Sequence, residues 1–321
     1  FVDRSAVAPR GRIVELAADG PSAERVDLLY LAEGYTAEEH AKFLADVERL
    51  NRALFATEPY ARRKADFNVR AIHLPSAESG ISNPRRGEWR AAPLGSSFNS
   101  FDSDRYVLTT ANREIRELAA QVPYDALVLV LNVKKYGGGG IYNLYSTCAA
   151  DSSEAGYLLV HEFGHSFAGL GDEYYSSQVA YEDFNPAGSE PWEPNLTALA
   201  DPARLKWRDL VAAGTPLPTP WDQPAFDELS LSYEARRTEL VERQASDEEF
   251  EALFDEVRAS TKPLLEAQTH FGATGAFQGG GYEAKGIYRP AVDCIMFTRN
   301  PKSFCAVCEH AVEQAIDRLA R

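Results

Sequence analysis

The residues whose types and spacing best predict chemistry lie at 161–165, where the sequence is His-Glu-Phe-Gly-His. Two histidines four positions apart on a helix lie one turn from each other on the same face, so His161 and His165 can both reach one metal ion. Glu162 follows the first histidine and can accept a proton from a metal-bound water. This pattern is typical of zinc peptidases.

The segment after the histidines contains candidates for a third ligand, which zinc needs in a catalytic site that keeps one position for water. We expect the helix to end at Gly169, because glycine readily adopts the left-handed conformation that turns the chain. Metzincin-type sites place the third ligand three residues after the turning glycine, which here is Asp172. Glu173 is the competing candidate. Metzincins have this glycine third after the second histidine, whereas here Ala168 is third, so the predicted helix is one residue longer.

Met296 is the only methionine in the 321 residues. Metzincins place a methionine in a tight turn beneath the metal, where its flexible thioether packs under the histidine ligands. Core packing is the other role that a lone methionine can have. Because Met296 occurs together with the paired histidines, we predict that it forms such a turn.

Further short motifs occur along the chain. They are Gly-Leu-x-Asp-Glu-Tyr directly after the histidine segment, Leu-Ala-Glu-Gly-Tyr-Thr at 31–36, Leu-Gly-Ser-Ser-Phe-Asn at 94–99, Gly-Gly-Gly-Tyr at 279–282, Gly-Ile-Tyr-Arg-Pro at 286–290, Cys294-x-Met296 and Phe304-Cys305-x-x-Cys308. With these motifs the chain resembles the IgA peptidase family of bacterial metallopeptidases over nearly its whole length, apart from a divergent stretch near 222–270. The resemblance implies a zinc-dependent, metzincin-like catalytic domain in a secreted or surface protein. It does not imply cleavage of immunoglobulin A.

The elements that must position these residues predict an α/β (α+β) fold with a mostly parallel twisted sheet, an active-site helix and a helical insertion. Alternation of strands and helices implies parallel pairing. The predicted strands are 25–32, 66–74 and 127–133, and the predicted helices are 36–55, 105–120 and one that begins at Asp151 or Ser152 and carries the histidines. A short strand at 141–145 is our candidate for pairing with extended substrate.

The block at about 222–270 is charged and rich in helix-favouring residues, so it predicts the helical insertion. We expect this insertion to belong to a single metallopeptidase catalytic domain that spans residues 1–321. A solvent-facing helical hairpin is the simpler interpretation of the block, and a lid or specificity element is the other.

The charge balance bears on partners and location. The net charge is −15 with a pI near 4.9, which argues against nucleic acid or an anionic membrane as partner. No apolar run approaches the roughly 18–20 residues that span a bilayer. The chain begins with Phe1 rather than methionine, which suggests a removed signal peptide or a trimmed chain. The family resemblance implies a secreted, cell-surface or periplasmic bacterial protein. The sequence does not predict an oligomeric state.

Four cysteines leave several pairings open. In an exported protein we expect a disulfide from Cys294 to Cys305 or Cys308, with Cys148 pairing with the remaining one. A second zinc site that combines the Cys-x-x-Cys segment with His310 is disfavoured, because His310 lies about 200° around the helix from Cys308.

The chemistry that follows is hydrolysis of peptide bonds by a zinc-activated water, with protein or peptide as the substrate. Glu162 acts as the general base, and the two histidines with Asp172 hold the metal. Either Tyr174 or Tyr288 is expected to donate to the oxyanion, and the sequence does not choose between them. The alternatives are a zinc amidase that acts on cell-wall material and a non-catalytic binding protein that retains the fold.

Overall fold

The computed structural model describes residues 10–175, 188–301 and 303–320. The described chain divides into two compact units. The first takes the residues up to Ala168 together with those from Val312 onward, and the second runs from Gly169 to Ala311. The expectation from Phe1 about export lies outside the described residues, and the prediction of a single catalytic domain stays a prediction.

The first unit is built on a six-stranded sheet flanked by helices. Its elements are β1 (Arg12–Ala17), β2 (Val26–Glu33), α1 (His40–Leu54), β3 (Phe67–His73), α2 (Asn112–Ala119), β4 (Ala126–Leu131), β5 (Gly138–Ile141), β6 (Tyr145–Ala149) and α3 (Ala155–Ala168). The strand order is β1-β3-β2-β4-β6-β5. The β2–β3, β2–β4 and β4–β6 pairs are parallel, and β1 and β5 pair antiparallel at the edges. The predicted mixed fold with a mostly parallel sheet is confirmed.

The two central strands explain why this sheet forms. Every residue of β2 and β4 is buried, and β4 is the continuous apolar run Ala-Leu-Val-Leu-Val-Leu. Such runs are typical of parallel strands that are covered on both faces. Leu29 and Leu31 of β2 and Leu129 and Leu131 of β4 belong to one core cluster, in which Ile115 of α2 also packs.

The predicted helix at 105–120 is correct only for its second half, α2. Tyr106 instead forms a bridge with Gly138 of β5. The N–H of Val107 donates to the carbonyl of Gly138 at 3.1 Å, and the N–H of Gly138 donates to the carbonyl of Arg105 at 3.1 Å. Pairing with a strand about thirty residues away therefore overrides the helical tendency of this segment, as tertiary context often does.

The predicted strand at 141–145 is wrong. Residues 142–144 form the turn between β5 and β6, and the N–H of Leu144 donates to the carbonyl of Ile141 at 3.0 Å. The edge strand on this side of the sheet is β5, which ends where the predicted strand was to begin. The helix expected from Thr36 likewise begins only at His40, because Thr36–Glu39 forms a turn in which Glu39 Oε2 accepts the N–H of Thr36 at 2.8 Å.

The second unit contains two long helices, α4 (Gln223–Glu242) and α5 (Asp247–Glu266), and a two-stranded sheet of β7 (Phe277–Gly280) and β8 (Glu283–Arg289). Ser246 and Glu249 form a capping box that begins α5. The predicted helices of the 222–270 block are therefore present as a hairpin; their status as an insertion stays a prediction. The last helix, α6, is Ala306–Leu319.

The described helices do not meet the requirements of a membrane span. Within residues 10–175, 188–301 and 303–320, none is both long enough and apolar enough to cross a bilayer.

Candidate metal centre

Helix α3 carries the paired histidines. Its first turn is prepared by Ser152, whose hydroxyl accepts the N–H of Glu154 at 3.3 Å and whose carbonyl accepts the N–H of Ala155 at 3.1 Å. The helix therefore starts a few residues later than predicted. It ends at Ala168, and Gly169 follows with φ of +67°, the left-handed conformation that glycine adopts without strain. The predicted stop is confirmed.

The imidazoles of His161 and His165 face each other across one helical turn. Their Nε2 atoms are 3.1 Å apart. Two nitrogen ligands at the usual zinc distance and a tetrahedral angle are separated by about 3.3 Å. The spacing therefore fits two nitrogens that share one ion.

Asp172 completes a possible ligand group. The chain continues from α3 through Gly169, and the donor atoms of His161, His165 and Asp172 all lie within 4.8 Å of one another. The Asp172 side chain is 7% exposed and that of His161 is 6% exposed, so water covers little of either. Two imidazoles and one carboxylate are a donor set that suits zinc and leave room for a further ligand.

Glu173, the competing candidate for third ligand, lies in a different group. Its carboxylate belongs with the thiols of Cys294, Cys305 and Cys308 in a second set of potential metal ligands. Burial raises the pKa of Glu173 well above its usual value, and the nearby charge of Cys294 raises it further. Of the two neighbouring carboxylates, Asp172 is thus the one placed with the histidines.

Two tyrosines for which the sequence predicted no role contact the candidate ligands. The Tyr157 hydroxyl lies 3.4 Å from Nδ1 of His161, one helical turn away on α3. The Tyr282 hydroxyl donates to Oδ2 of Asp172. Helical spacing from His161 would have identified Tyr157. Tyr282 ends the Gly-Gly-Gly-Tyr motif, but it is 110 residues from Asp172 and no local pattern links the two. Partners of this kind fix the orientation of metal ligands.

The two tyrosines predicted as oxyanion donors have other surroundings. The ring of Tyr174 packs edge-on against the ring of Tyr282, with centroids 5.5 Å apart. Tyr288 lies in β8 opposite Gln278, and its backbone exchanges two hydrogen bonds with Thr197 at 2.8 and 3.1 Å. The oxyanion role of Tyr174 or Tyr288 stays a prediction.

Glu162 lies on the part of α3 that packs against β5. A Cβ atom on Gly140 would lie 2.3 Å from the Glu162 carbonyl oxygen and 2.8 Å from Cβ of His165. A Cβ atom on Gly138 would lie 3.3 Å from Cγ of Glu162. Gly138 and Gly140 therefore allow the strand to approach the helix closely, whereas a Cβ atom on Gly139 would lie 2.8 Å from Cδ2 of Leu108 instead.

The segment around Met296 forms a tight turn. The N–H groups of Phe297 and Thr298 both donate to the carbonyl of Cys294, at 2.8 and 3.0 Å. Met296 is fully buried, and its carbonyl accepts the N–H of Glu173 at 2.9 Å. The turn thus bonds directly to the residue that follows Asp172. A position of the thioether beneath a metal stays a prediction.

Comparison with known proteins gives one match that covers most of the chain. The family model described as IgA Peptidase M64 matches residues 14–316. A search of curated proteins found none that matches. Because the family match includes the histidine helix, the Met296 turn and nearly all other described elements, the chain belongs to the IgA peptidase M64 family, whose members are peptidases acting on proteins or peptides.

Proposed function

We propose that this protein is a zinc-dependent endopeptidase. The observation that carries the proposal is the group formed by His161, His165 and Asp172, with Glu162 on the same helix turn, in a chain of a peptidase family. Two imidazole nitrogens and one carboxylate are the usual protein ligands of a catalytic zinc, which keeps an open position. Tyr157 and Tyr282 support the proposal, because each contacts one of these ligands.

His161, His165 and Asp172 would hold a zinc ion, which would supply Lewis-acid chemistry by polarising the scissile carbonyl and lowering the pKa of water at the site. Glu162 accepts a proton from the attacking water as its oxygen bonds to the carbonyl carbon. Glu162 then delivers this proton to the amine nitrogen as the C–N bond breaks, which returns the carboxylate to its starting state. A tyrosine hydroxyl, from Tyr174 or Tyr288, donates to the developing oxyanion, a contribution of about 2–4 kcal/mol for such donors.

The outer edge of β5 is where we place the substrate backbone. Arg105 and Val107 already bond this edge at Gly138. Because successive residues of a strand alternate direction, Gly140 presents its N–H and C=O on the same edge as Gly138. An extended peptide can add to the sheet at this position, which lies against the turn of α3 that carries Glu162 and His165. Binding by backbone pairing suits cleavage within a chain.

The test compares the parent protein with Glu162→Gln on a complex peptide library, with cleavage products identified by mass spectrometry. Glu114→Gln is the matched control, since Glu114 is an exposed carboxylate on α2. We expect internal cleavage by the parent and by the control, and none by Glu162→Gln, which should still bind zinc. Cleavage that persists in Glu162→Gln contradicts the role of this base.

Other outcomes separate the alternatives. Release of single terminal residues would replace endopeptidase with exopeptidase action. Cleavage of cell-wall fragments in place of peptides would indicate a zinc amidase. Loss of zinc together with activity in Glu162→Gln would mean that Glu162 supports the metal site rather than proton transfer.

A further inference from the structure

Four buried or half-buried ligand atoms converge in the second unit. The Sγ atoms of Cys294, Cys305 and Cys308 and a carboxylate oxygen of Glu173 all lie within 4.8 Å of one another. Cys294 Sγ and Cys308 Sγ are 3.8 Å apart, and Cys308 Sγ is 3.2 Å from Oε1 of Glu173. Two thiolates bound tetrahedrally to one zinc are about 3.8 Å apart. The sulfur spacing therefore already matches a shared ion.

The carboxyl group of Glu173 offers an unused ligand atom at this place. The Glu173 side chain is fully buried, and its Oε2 atom has no hydrogen-bond partner. Its other oxygen, Oε1, accepts a hydrogen bond from Nδ2 of Asn195 at 3.0 Å. The Asn195 amide is in turn fixed by two bonds to the backbone of Gly171, at 2.7 and 2.9 Å. A buried carboxylate oxygen without a partner is costly, and a metal ion would remove that cost.

The surroundings of the sulfur atoms also favour metal binding. The N–H of Cys305 donates to Sγ of Cys294 at 3.3 Å, a bond that favours the thiolate form of the acceptor. Cys294 and Cys308 are fully buried. The short separation between Cys305 and Cys308 at the start of α6 brings both sulfurs to one point, as Cys-x-x-Cys segments do in structural zinc sites.

Arg289 is a buried cation in the same unit. Its guanidinium is fully buried and donates to the carbonyls of Gln278 and Gly279 at 3.0 and 2.9 Å, yet its Nε atom has no partner. Burial lowers the pKa of Arg289, and the negative charges of Glu173 and Cys294 are among those that oppose this shift. Three thiolates, one carboxylate and one divalent ion together carry a net negative charge. A buried arginine beside such a centre is paired rather than isolated.

We propose that Glu173, Cys294, Cys305 and Cys308 bind a second zinc ion, which is structural. Three sulfur ligands and one oxygen ligand fill a tetrahedral shell and leave no position for water. Thiolate-rich sets select zinc over the oxygen-preferring Mg²⁺ and Ca²⁺. The three thiols release their protons to solvent on binding. His310 is exposed on α6 and is not in the group, so the fourth ligand is Glu173 and not His310, which the helical spacing already disfavoured.

A disulfide is the competing use of these cysteines. All four cysteines of the chain are free thiols, and the predicted Cys294 disulfide is absent. A Cys294–Cys308 bond would occupy two of the three converging sulfurs. It would leave the Cys305 thiol unused and would still leave Glu173 Oε2 buried without a partner. A metal ion instead engages all four side chains, and for this reason we favour it.

The second ion would tie together three separate segments. Glu173 follows Asp172, Cys294 begins the turn that contains Met296, and Cys305 and Cys308 lie at the start of α6. Because Glu173 is bonded to Asp172 in the chain, a bound ion would make the Asp172 segment more rigid. Its existence does not depend on the proposed peptidase function.

The first test measures zinc per chain in purified full-length protein by elemental analysis. We expect about two zinc ions per chain in the parent and about one in the double variant Cys305→Ser/Cys308→Ser. The remaining ion should be lost only when His161 and His165 are also replaced. Cys148→Ser is the control, because Cys148 is buried in the first unit and outside the group, and it should keep both ions. Unchanged zinc in the double cysteine variant overturns the proposal.

A second test uses the unmodified chain, so that misfolding of a variant cannot obscure the result. Unfolding in the presence of a chelator should expose four thiols that react with a thiol reagent. In the folded protein without chelator, the thiols of Cys294, Cys305 and Cys308 should be protected from that reagent. A count of two thiols would reveal a disulfide and refute the proposal. With cobalt(II) in place of zinc, an intense sulfur-to-metal charge-transfer absorption is expected, and its absence would likewise refute thiolate ligation.

Discussion

Asp172 and Glu173 are neighbours in the chain, yet their carboxylates belong to two different ligand groups. Asp172 lies with His161 and His165, and Glu173 lies with three cysteines. The backbone between them is held by hydrogen bonds to two other segments: the Asp172 carbonyl accepts the N–H of Gly281 at 2.8 Å, and the Glu173 N–H donates to Met296. The pair thus links a proposed catalytic ion to a proposed structural one.

This relationship predicts opposite outcomes for two conservative changes. Loss of a residue that hydrogen-bonds a metal ligand lowers metal affinity by about 10–100-fold. Asp172→Asn alters a ligand itself, so it should weaken zinc binding at the histidines by more than that. Glu173→Gln should leave that ion in place and weaken the sulfur-bound one. Zinc retention against a competing chelator measures both, with the cobalt charge-transfer band reporting on the sulfur-bound ion alone.

The control for this pair is Asp255→Asn, because the Asp255 side chain is 74% exposed on α5. It should retain both ions as the parent does. If Asp172→Asn and Glu173→Gln removed the same ion, the division of the two carboxylates between two groups would be wrong.

Tyr282→Phe removes the hydroxyl that donates to Asp172 and changes little else in size. We expect a loss of about 10–100-fold in zinc affinity or activity, because the carboxylate loses the partner that orients it. Chelator competition and peptide cleavage measured on the same preparation check this. Tyr288→Phe serves as the comparison, and it should retain zinc as the parent does. Equal zinc retention in Tyr282→Phe and the parent would contradict an orienting role for this hydroxyl.

Gly140→Ala should displace α3. The new Cβ atom would lie 2.3 Å from the Glu162 carbonyl oxygen, and this backbone atom cannot move aside as a flexible side chain can. Overpacking of this kind costs about 1–3 kcal/mol in the free energy of unfolding, and we expect peptide cleavage to fall as well. Urea unfolding and the library assay measure the two effects.

Gly20→Ala provides the contrast to Gly140→Ala. The nearest atom to a Cβ there is Nε of Arg25, at 3.0 Å, and that side chain can shift. We expect little change in stability or cleavage. Similar behaviour of the two variants would show that close packing of β5 on α3 does not limit position 140.

Met296→Leu should cost less than about 1.5 kcal/mol of stability, because the two side chains have similar volumes. Met296→Ala should cost about 2–5 kcal/mol, since Met296 is fully buried and truncation leaves a cavity. Chemical unfolding of both variants gives these values. If Met296→Leu kept its stability but lost cleavage, the thioether would have a role at the metal beyond packing.

Sequence reasoning predicted the elements whose signals are local. The apolar run of β4 and the helix-ending Gly169 behave as expected, because a strand core and a left-handed turn depend on residues within a few positions. It failed at 105–111 and 141–145. In the first case a pairing between Tyr106 and Gly138 replaces a helix, and in the second a turn replaces a strand.

The sequence alone predicted which side chains of α3 come together, because the spacing of His161, Glu162 and His165 acts through the period of a single helix. Only the tertiary structure decided which partners complete it. Tyr282 reaches Asp172 across 110 positions, and Cys308 reaches Glu173 across 135. Contacts over such separations depend on how strands, turns and helices pack together, and no short-range pattern of residues records that packing.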